Sequence, residues 1–301
     1  MEDNAKAMVL ASFAADSLAL GAHWIYDTSK ISQAFGRVDS FLKPAQNSYH
    51  PTKDKGEFTH YGDQTLVLLE SLAARRGFDL QDFSARWRNL FDGYRGYIDG
   101  ATRVTLSEYA SGKNAEIAGS PSDDLAGASR LAPLVYCYRG NLDALASASR
   151  SQTNMTHTNP LTIESAEFFA RVASLVLEET APVKALNRVR EDHYRDNQIG
   201  AWVKAGIESR ENESLPAIAR FGQSCHTPAA FPGVIHLIAR YEDDLEEALI
   251  QSVMAGGDSA ARGMIVGMIL GAHLGVESIP ERWLTELRKK DEILRHLQIL
   301  A

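Results

Sequence analysis

The chain has 301 residues, 45% of them hydrophobic, enough to bury a large core. Its formal charge of −8 comes from intermixed acidic and basic residues with no basic stripe, which argues against nucleic acid as a partner. Its two cysteines, Cys137 and Cys225, can build neither a disulfide framework nor a cysteine zinc cluster.

The N-terminal stretch MEDNAKAMVLASFAADSLAL is acidic at its start and lacks the basic region of a signal peptide. No uninterrupted apolar run approaches the roughly 18 residues of a membrane span. The expectation is a soluble, cytoplasmic protein with no membrane partner. The sequence does not set an oligomeric state.

Helical periodicity dominates from the start. Residues 5–22 are rich in alanine and leucine at helical spacing. The segment from Val38 to Tyr61 is the longest irregular stretch, and loops of that length in compact proteins are commonly functional. Its Tyr49, His50, His60 and Tyr61 predict an ordered loop near a site. A helix is expected over 65–76, and another over 79–98, where Asp79 is a suitable N-cap and Phe83, Trp87, Leu90 and Phe91 share a face.

Further helices are expected over 127–139, 141–150, 162–178, 182–208 (with breaks), 214–220, 228–240, 243–254, 259–274 and 281–299. Prolines at 133, 160, 182, 228 and 280 stand where helices start or stop. No alternating run of β-branched residues bounded by turns is found. The expected fold is all-α, a single compact globule of about a dozen helices forming one domain over 1–301.

Two polar elements stand out, 195 residues apart between Asp63 and Asp258. One is Thr59-His-Tyr-Gly-Asp-Gln-Thr65; the other is Gly256-Gly-Asp-Ser-Ala-Ala-Arg-Gly263, opening a small-residue helix. Each places an aspartate at a turn before apolar helix, and the pair suggests a composite site. Three more segments accompany them: Ala15 to Asp27 with His-Trp-Ile-Tyr-Asp at its end, Leu125-Ala-Gly-Ala-Ser-Arg-Leu-Ala-Pro133, and Met155-Thr-His-Thr-Asn-Pro-Leu161.

In order and spacing these five segments resemble the ADP-ribosylglycohydrolase family, over essentially the whole chain, and most nearly its crystallin J-like branch. The resemblance implies an all-α globule with a central pocket. It also implies a hydrolase that cleaves the bond between ADP-ribose and an acceptor with two Mg²⁺ ions. Carried over residue by residue, Asp63 and Asp258 match metal-ligating aspartates, and Ser259 conservatively replaces a threonine. Gln64 and Ala260 stand where further aspartates are expected, Ala261 where a ligating threonine is, and His23 where a glutamate is. Two close divalent ions need several anionic ligands, so the expected metal content is one weak Mg²⁺ site at Asp63 and Asp258, or none.

The expected catalytic residues are Asp63, Asp258 and His23. Gln64, Tyr61, His157, Asn159, Gly127, Ser129, Ser259 and Arg262 are the expected substrate-binding residues. Each has a plain structural alternative. Asp63 and Asp258 sit where N-caps belong, Asn159 can cap the helix at Pro160, and Gly127 with Ser129 can serve close helix packing. Arg262, one turn after Asp258, and His23 can supply the positive charge that metals supply elsewhere. Adjacent residues seldom face each other, so Cys225 beside His226 reads as a pocket-lining turn. The functional expectation is hydrolysis of a ribosyl glycosidic bond, in an ADP-ribosyl adduct or a related nucleoside or sugar compound. The alternative is a catalytically silent ligand-binding or crystallin-like structural member.

Overall fold

The small-residue helices at the two ends of the chain meet at the centre of the molecule. In the computed structural model, which describes residues 2–301, helix Glu2–Ala19 packs along helix Ser259–Leu274 more extensively than any other pair. The sequence explains how near they come. A Cβ at Gly267 would lie 2.6 Å from the Ala11 carbonyl oxygen, and one at Gly271 would lie 2.7 Å from Ala11 Cβ. Both helices are buried on nearly every side, which is why neither shows a one-sided apolar stripe.

The pair belongs to a globule of sixteen α-helices, with no strand among the described residues, so the all-α reading holds. The only extended pairings there are two isolated bridges, Ser120 with His157 and Asp124 with His226. Helix Ser259–Leu274 starts and ends where the sequence places it. The predicted 65–76 helix begins earlier, at His60, because the Thr59 hydroxyl accepts from Tyr61 N at 3.1 Å and caps it. Two short helices, Thr28–Phe35 and Gly100–Ala110, fall in segments that carry too few apolar residues for the periodicity to reveal them. The expected 281–299 helix breaks into Glu281–Glu286 and Lys290–Leu300.

Residues 37–59 form no helix, yet Val38, Phe41, His50 and Phe58 within them are buried. The long loop is therefore ordered against the core, as its aromatic content predicts. No helix among the described residues is long and apolar enough to cross a membrane.

Candidate functional site

The Gly256-Gly257 turn is the frame on which the site is built. Both glycines have left-handed backbones, with φ of 69° and 67°. A Cβ at Gly257 would lie 2.0 Å from the Gln223 carbonyl oxygen, so only glycine fits. The turn is laced to the His-Trp-Ile-Tyr-Asp segment by two reciprocal backbone bonds, Trp24 N to Gly257 O and Gly257 N to Ile25 O, both 2.9 Å. Trp24 itself takes φ of 64°, a strained conformation for a bulky residue.

This lacing sets His23 on Asp258. His23 Nε2 lies 3.1 Å from Asp258 Oδ1, and the Tyr61 hydroxyl donates to Asp258 Oδ2 at 3.2 Å. Asp258 Oδ1 also accepts from Ala261 N at 3.2 Å, so the N-cap role and the site role coexist. Behind His23, His50 Nε2 lies 3.3 Å from His23 Nδ1. If His23 donates from Nε2 to Asp258, its Nδ1 is the acceptor for His50.

Burial pushes the His23 imidazole down, and it pushes His50 to about 2, helped by the charges that His23 and His60 would carry. Both rings are therefore neutral at physiological pH. Burial opposes ionisation of Asp258 more than any one partner favours it, but the His23 hydrogen bond, the Ala261 N–H and the Arg262 charge together hold the carboxyl below its ordinary value.

An aromatic group covers this centre. Trp24 lies 4.3 Å from the His23 ring, 4.8 Å edge-on to Tyr49 and 5.0 Å edge-on to Tyr97, centroid to centroid. His60 stacks 6.2 Å from His23, and its Nε2 is 3.2 Å from Asp99 Oδ2. His23, His50, His60, Tyr61 and Asp258 are all buried, while Trp24 and Tyr97 are half-buried and Tyr49 is exposed. Asp124 and Cys225 are also half-buried, and their ligating atoms lie within 4.8 Å of each other and of Asp258. Burial and the Asp258 charge push the Asp124 carboxyl well above its ordinary range.

Three of the expected site residues have partners within the fold that the sequence does not reveal. Asp63 and Asp258 share no partner and no ligand cluster. Tyr61 and Asp63, two positions apart in one helix, face opposite sides. Tyr61 therefore takes Asp258, and Asp63 turns to Lys53 Nζ and the Tyr94 hydroxyl, both at 2.5 Å from its Oδ2. The cation beside Asp63 is Lys53, which the sequence reading did not single out.

Gln64 is not free for a ligand. Its Oε1 accepts from Trp87 Nε1 at 2.7 Å and from Arg130 Nη1 at 2.8 Å, and its Nε2 donates to His60 O at 3.0 Å. Arg262 is 1% exposed and clamps the glycine turn, with Nη2 donating to Ser252 O at 2.6 Å and Gly256 O at 2.7 Å, while its buried Nη1 has no hydrogen-bond partner among the described residues.

The remaining predicted residues have the following partners within the fold. Asn159 caps helix Pro160–Leu177 through Leu161 N and Thr162 N. Ser129 Oγ donates to Ala126 O at 2.8 Å. Gly127 makes room for His157, whose ring carbon would lie 2.8 Å from a Cβ there. His157 Nδ1 pairs with Thr156 Oγ1 at 2.8 Å, and burial next to Arg130 pushes the ring to about 3. Ser259 Oγ is buried with no hydrogen-bond partner.

The sequence reading missed Asp124, Arg130 and Lys53. Asp124 and Arg130 act on residues far away in the chain, and Lys53 reaches Asp63 from within the irregular loop, where no periodicity marks it. The Cys225 thiol lies within 4.8 Å of ligating atoms of Asp124 and Asp258.

The donor set bears directly on the two Mg²⁺ ions that the family resemblance implies. Mg²⁺ takes oxygen ligands in near-ideal octahedral order, usually with more than one carboxylate. Here Lys53 occupies Asp63, Gln64 is bound to Arg130, and Ala260 and Ala261 offer no donor atom. The residues do not fit a pair of Mg²⁺ ions.

Comparison with known proteins agrees with this fold. The sequence model of the ADP-ribosylglycohydrolase family matches residues 1–301. Crystallin J1A of Tripedalia cystophora is 26% identical over 315 aligned residues, covering 100% of this chain and 97% of the relative. The human ADP-ribosylhydrolase ARH3 is 24% identical, covering 86% of this chain and 82% of the relative. A solved ADP-ribosylglycohydrolase-related protein complex superposes with a TM-score of 0.77 at 25% identity, covering 99% of this chain and 97% of that one. The chain belongs to the ADP-ribosylglycohydrolase family.

Proposed function

We propose that this protein hydrolyses a ribosyl glycosidic bond, in an ADP-ribosyl adduct or a related nucleoside or sugar compound, without a pair of Mg²⁺ ions. One observation carries the reading. A buried carboxylate, Asp258, is kept ionised and aimed by His23 and Tyr61, beside an aromatic group that is partly open to solvent. A buried charge with such partners costs stability and has no packing purpose of its own.

Cleavage at C1 of a ribose builds positive charge on the ring as the leaving group departs. Asp258 supplies the fixed negative charge that such a state needs, in surroundings from which water is largely excluded. His23, neutral and donating from Nε2, fixes the carboxylate's direction, and His50 fixes the His23 ring in turn. Trp24, Tyr49 and Tyr97 offer faces on which a sugar or base can pack. Asp63, paired with Lys53 and Tyr94, takes no part.

The test is hydrolysis of ADP-ribosylated arginine, ADP-ribosylated serine and small nucleosides by the purified protein, with no Mg²⁺ added. Turnover that Asp258→Asn abolishes supports the proposal. Turnover that appears only when Mg²⁺ is added refutes it.

A second reading is a silent ligand-binding or crystallin-like member. The ion pair that closes Asp63 favours it, as does the likeness to a protein named for a crystallin. Calorimetric binding of ADP-ribose without turnover would support the binding form. Neither binding nor turnover would leave the structural form.

A further inference from the structure

We propose that Asp124, Cys225 and Asp258 form a single site for a thiophilic divalent cation of the Zn²⁺ class. The inference rests on the hydrolase reading only in assigning a purpose to the pocket, and metal binding can be measured without turnover.

The three ligands come from three segments of the chain, and each candidate donor atom lies within 4.8 Å of the others. That spacing is close enough for one ion to reach all three with small side-chain adjustments. The segments are already fixed to one another through the backbone. Leu125 N donates to Cys225 O at 2.8 Å, Thr227 N to Asp123 O at 2.8 Å, and Asp258 N to Gln223 O at 2.9 Å. Ligands held on a rigid frame lose little freedom when they bind an ion.

The donor chemistry selects the ion. A thiolate is a poor ligand for Mg²⁺ and a good one for Zn²⁺, which accepts sulfur together with carboxylate oxygen in a four-coordinate site. Three protein ligands leave one position for water or a ligand oxygen, the pattern of a working rather than a structural zinc centre. The outer contacts also match such a site. His23 and Tyr61 hydrogen-bond Asp258 and would keep its carboxylate oriented.

The charge count supports the same conclusion. With Asp124, Cys225 and Asp258 all ionised, a divalent cation and the buried Arg262 guanidinium bring the sum to zero. Beside Asp258, the buried Ser259 hydroxyl has no hydrogen-bond partner.

Cobalt is the practical probe. The full-length protein is stripped with chelator, reduced, and titrated with Co²⁺. The expected result is a near-ultraviolet sulfur-to-cobalt charge-transfer band at one equivalent, removed by Zn²⁺ and not by excess Mg²⁺. Cys225→Ser should abolish the band and weaken Co²⁺ binding roughly tenfold or more, while Cys137→Ser should leave both unchanged.

A second cluster of possible ligands, Glu70, Glu292 and His296, contains no sulfur and cannot give that band. Absence of the band in the wild-type protein overturns the proposal, whether or not any variant folds. A band that survives in Cys225→Ser overturns it too. Wild-type hydrolysis without the band defeats the cation site alone. The band without hydrolysis of any ribosyl substrate defeats the hydrolase reading alone.

Discussion

The two aspartate elements of this chain look alike in sequence and are used in opposite ways. Asp258 sits at the start of its helix with its carboxylate held by neutral donors, next to Asp124 and Cys225. Asp63 sits three residues into its helix, and a lysine and a tyrosine occupy it. The difference is one of helical phase. A residue that begins a helix points along the loop that precedes it, whereas a residue inside the first turn points where the 100° step sends it. Matching words therefore do not guarantee matching surroundings.

The strongest way to break this comparison is to neutralise each carboxylate in turn. Asp258→Asn should lower kcat/KM for a ribosyl substrate by about 100-fold or more. Asp63→Asn should change it by less than about threefold, because its charge is turned away from the reacting centre. Equal losses in steady-state assays would overturn the asymmetry.

Next in size is Gln64→Ala, which removes the acceptor shared by Trp87 and Arg130. Each buried donor left unpaired costs about 1–3 kcal/mol, so stability measured by urea unfolding should fall by about 2–4 kcal/mol. A neutral result would return Gln64 to the list of ligand-binding candidates.

Lys53→Met has a smaller expected effect. The Lys53–Asp63 pair is largely buried, with 14% and 17% of the side chains exposed, and its loss should cost about 1 kcal/mol with turnover unchanged. A marked fall in turnover would show that Asp63 and its lysine serve the reaction after all.

The mildest effect should come from acid. His50 and His157 have folded-state values pushed down to about 2 and about 3, below the ordinary histidine value. As pH falls below about 6.5 the unfolded chain takes up protons that the folded chain refuses. Their contribution to stability is thus complete above that pH and is lost progressively as pH falls toward the folded values. Asp16, pushed up to about 7 by burial, works the other way, losing stability as pH rises through about 7. The melting temperature should therefore drop between pH 6.5 and pH 5 less steeply in His50→Gln than in the wild type. Parallel curves would rule out His50 as a neutral buried ring.

Much of this molecule was legible before its shape was known. Alanine and glycine spacing in residues 259–274 announced a buried helix, and the aromatic residues of the 38–61 loop announced an ordered wall. His23 and Asp258 were both singled out from their words, and the structure places them together. Pairings across distant segments were not legible. Nothing near Asp124 in the chain points to Cys225, and nothing near Arg130 points to Gln64. The partners of Arg262 were not legible either, for a physical reason. One turn after Asp258 it lies on the expected face, but the open carbonyls of Ser252 and Gly256 satisfy its Nη2 from inside the fold.

The Gln64–Arg130 contact decides what a carboxylate placed at position 64 would do. Arg130 is 2% exposed and has no carboxylate among its hydrogen-bond partners, which are Gln64, Gln152 and Thr156. An aspartate at position 64 would hand that guanidinium a counter-ion, and the new carboxylate would be claimed before a divalent cation could use it. A single Gln64→Asp replacement therefore does not by itself create a metal ligand.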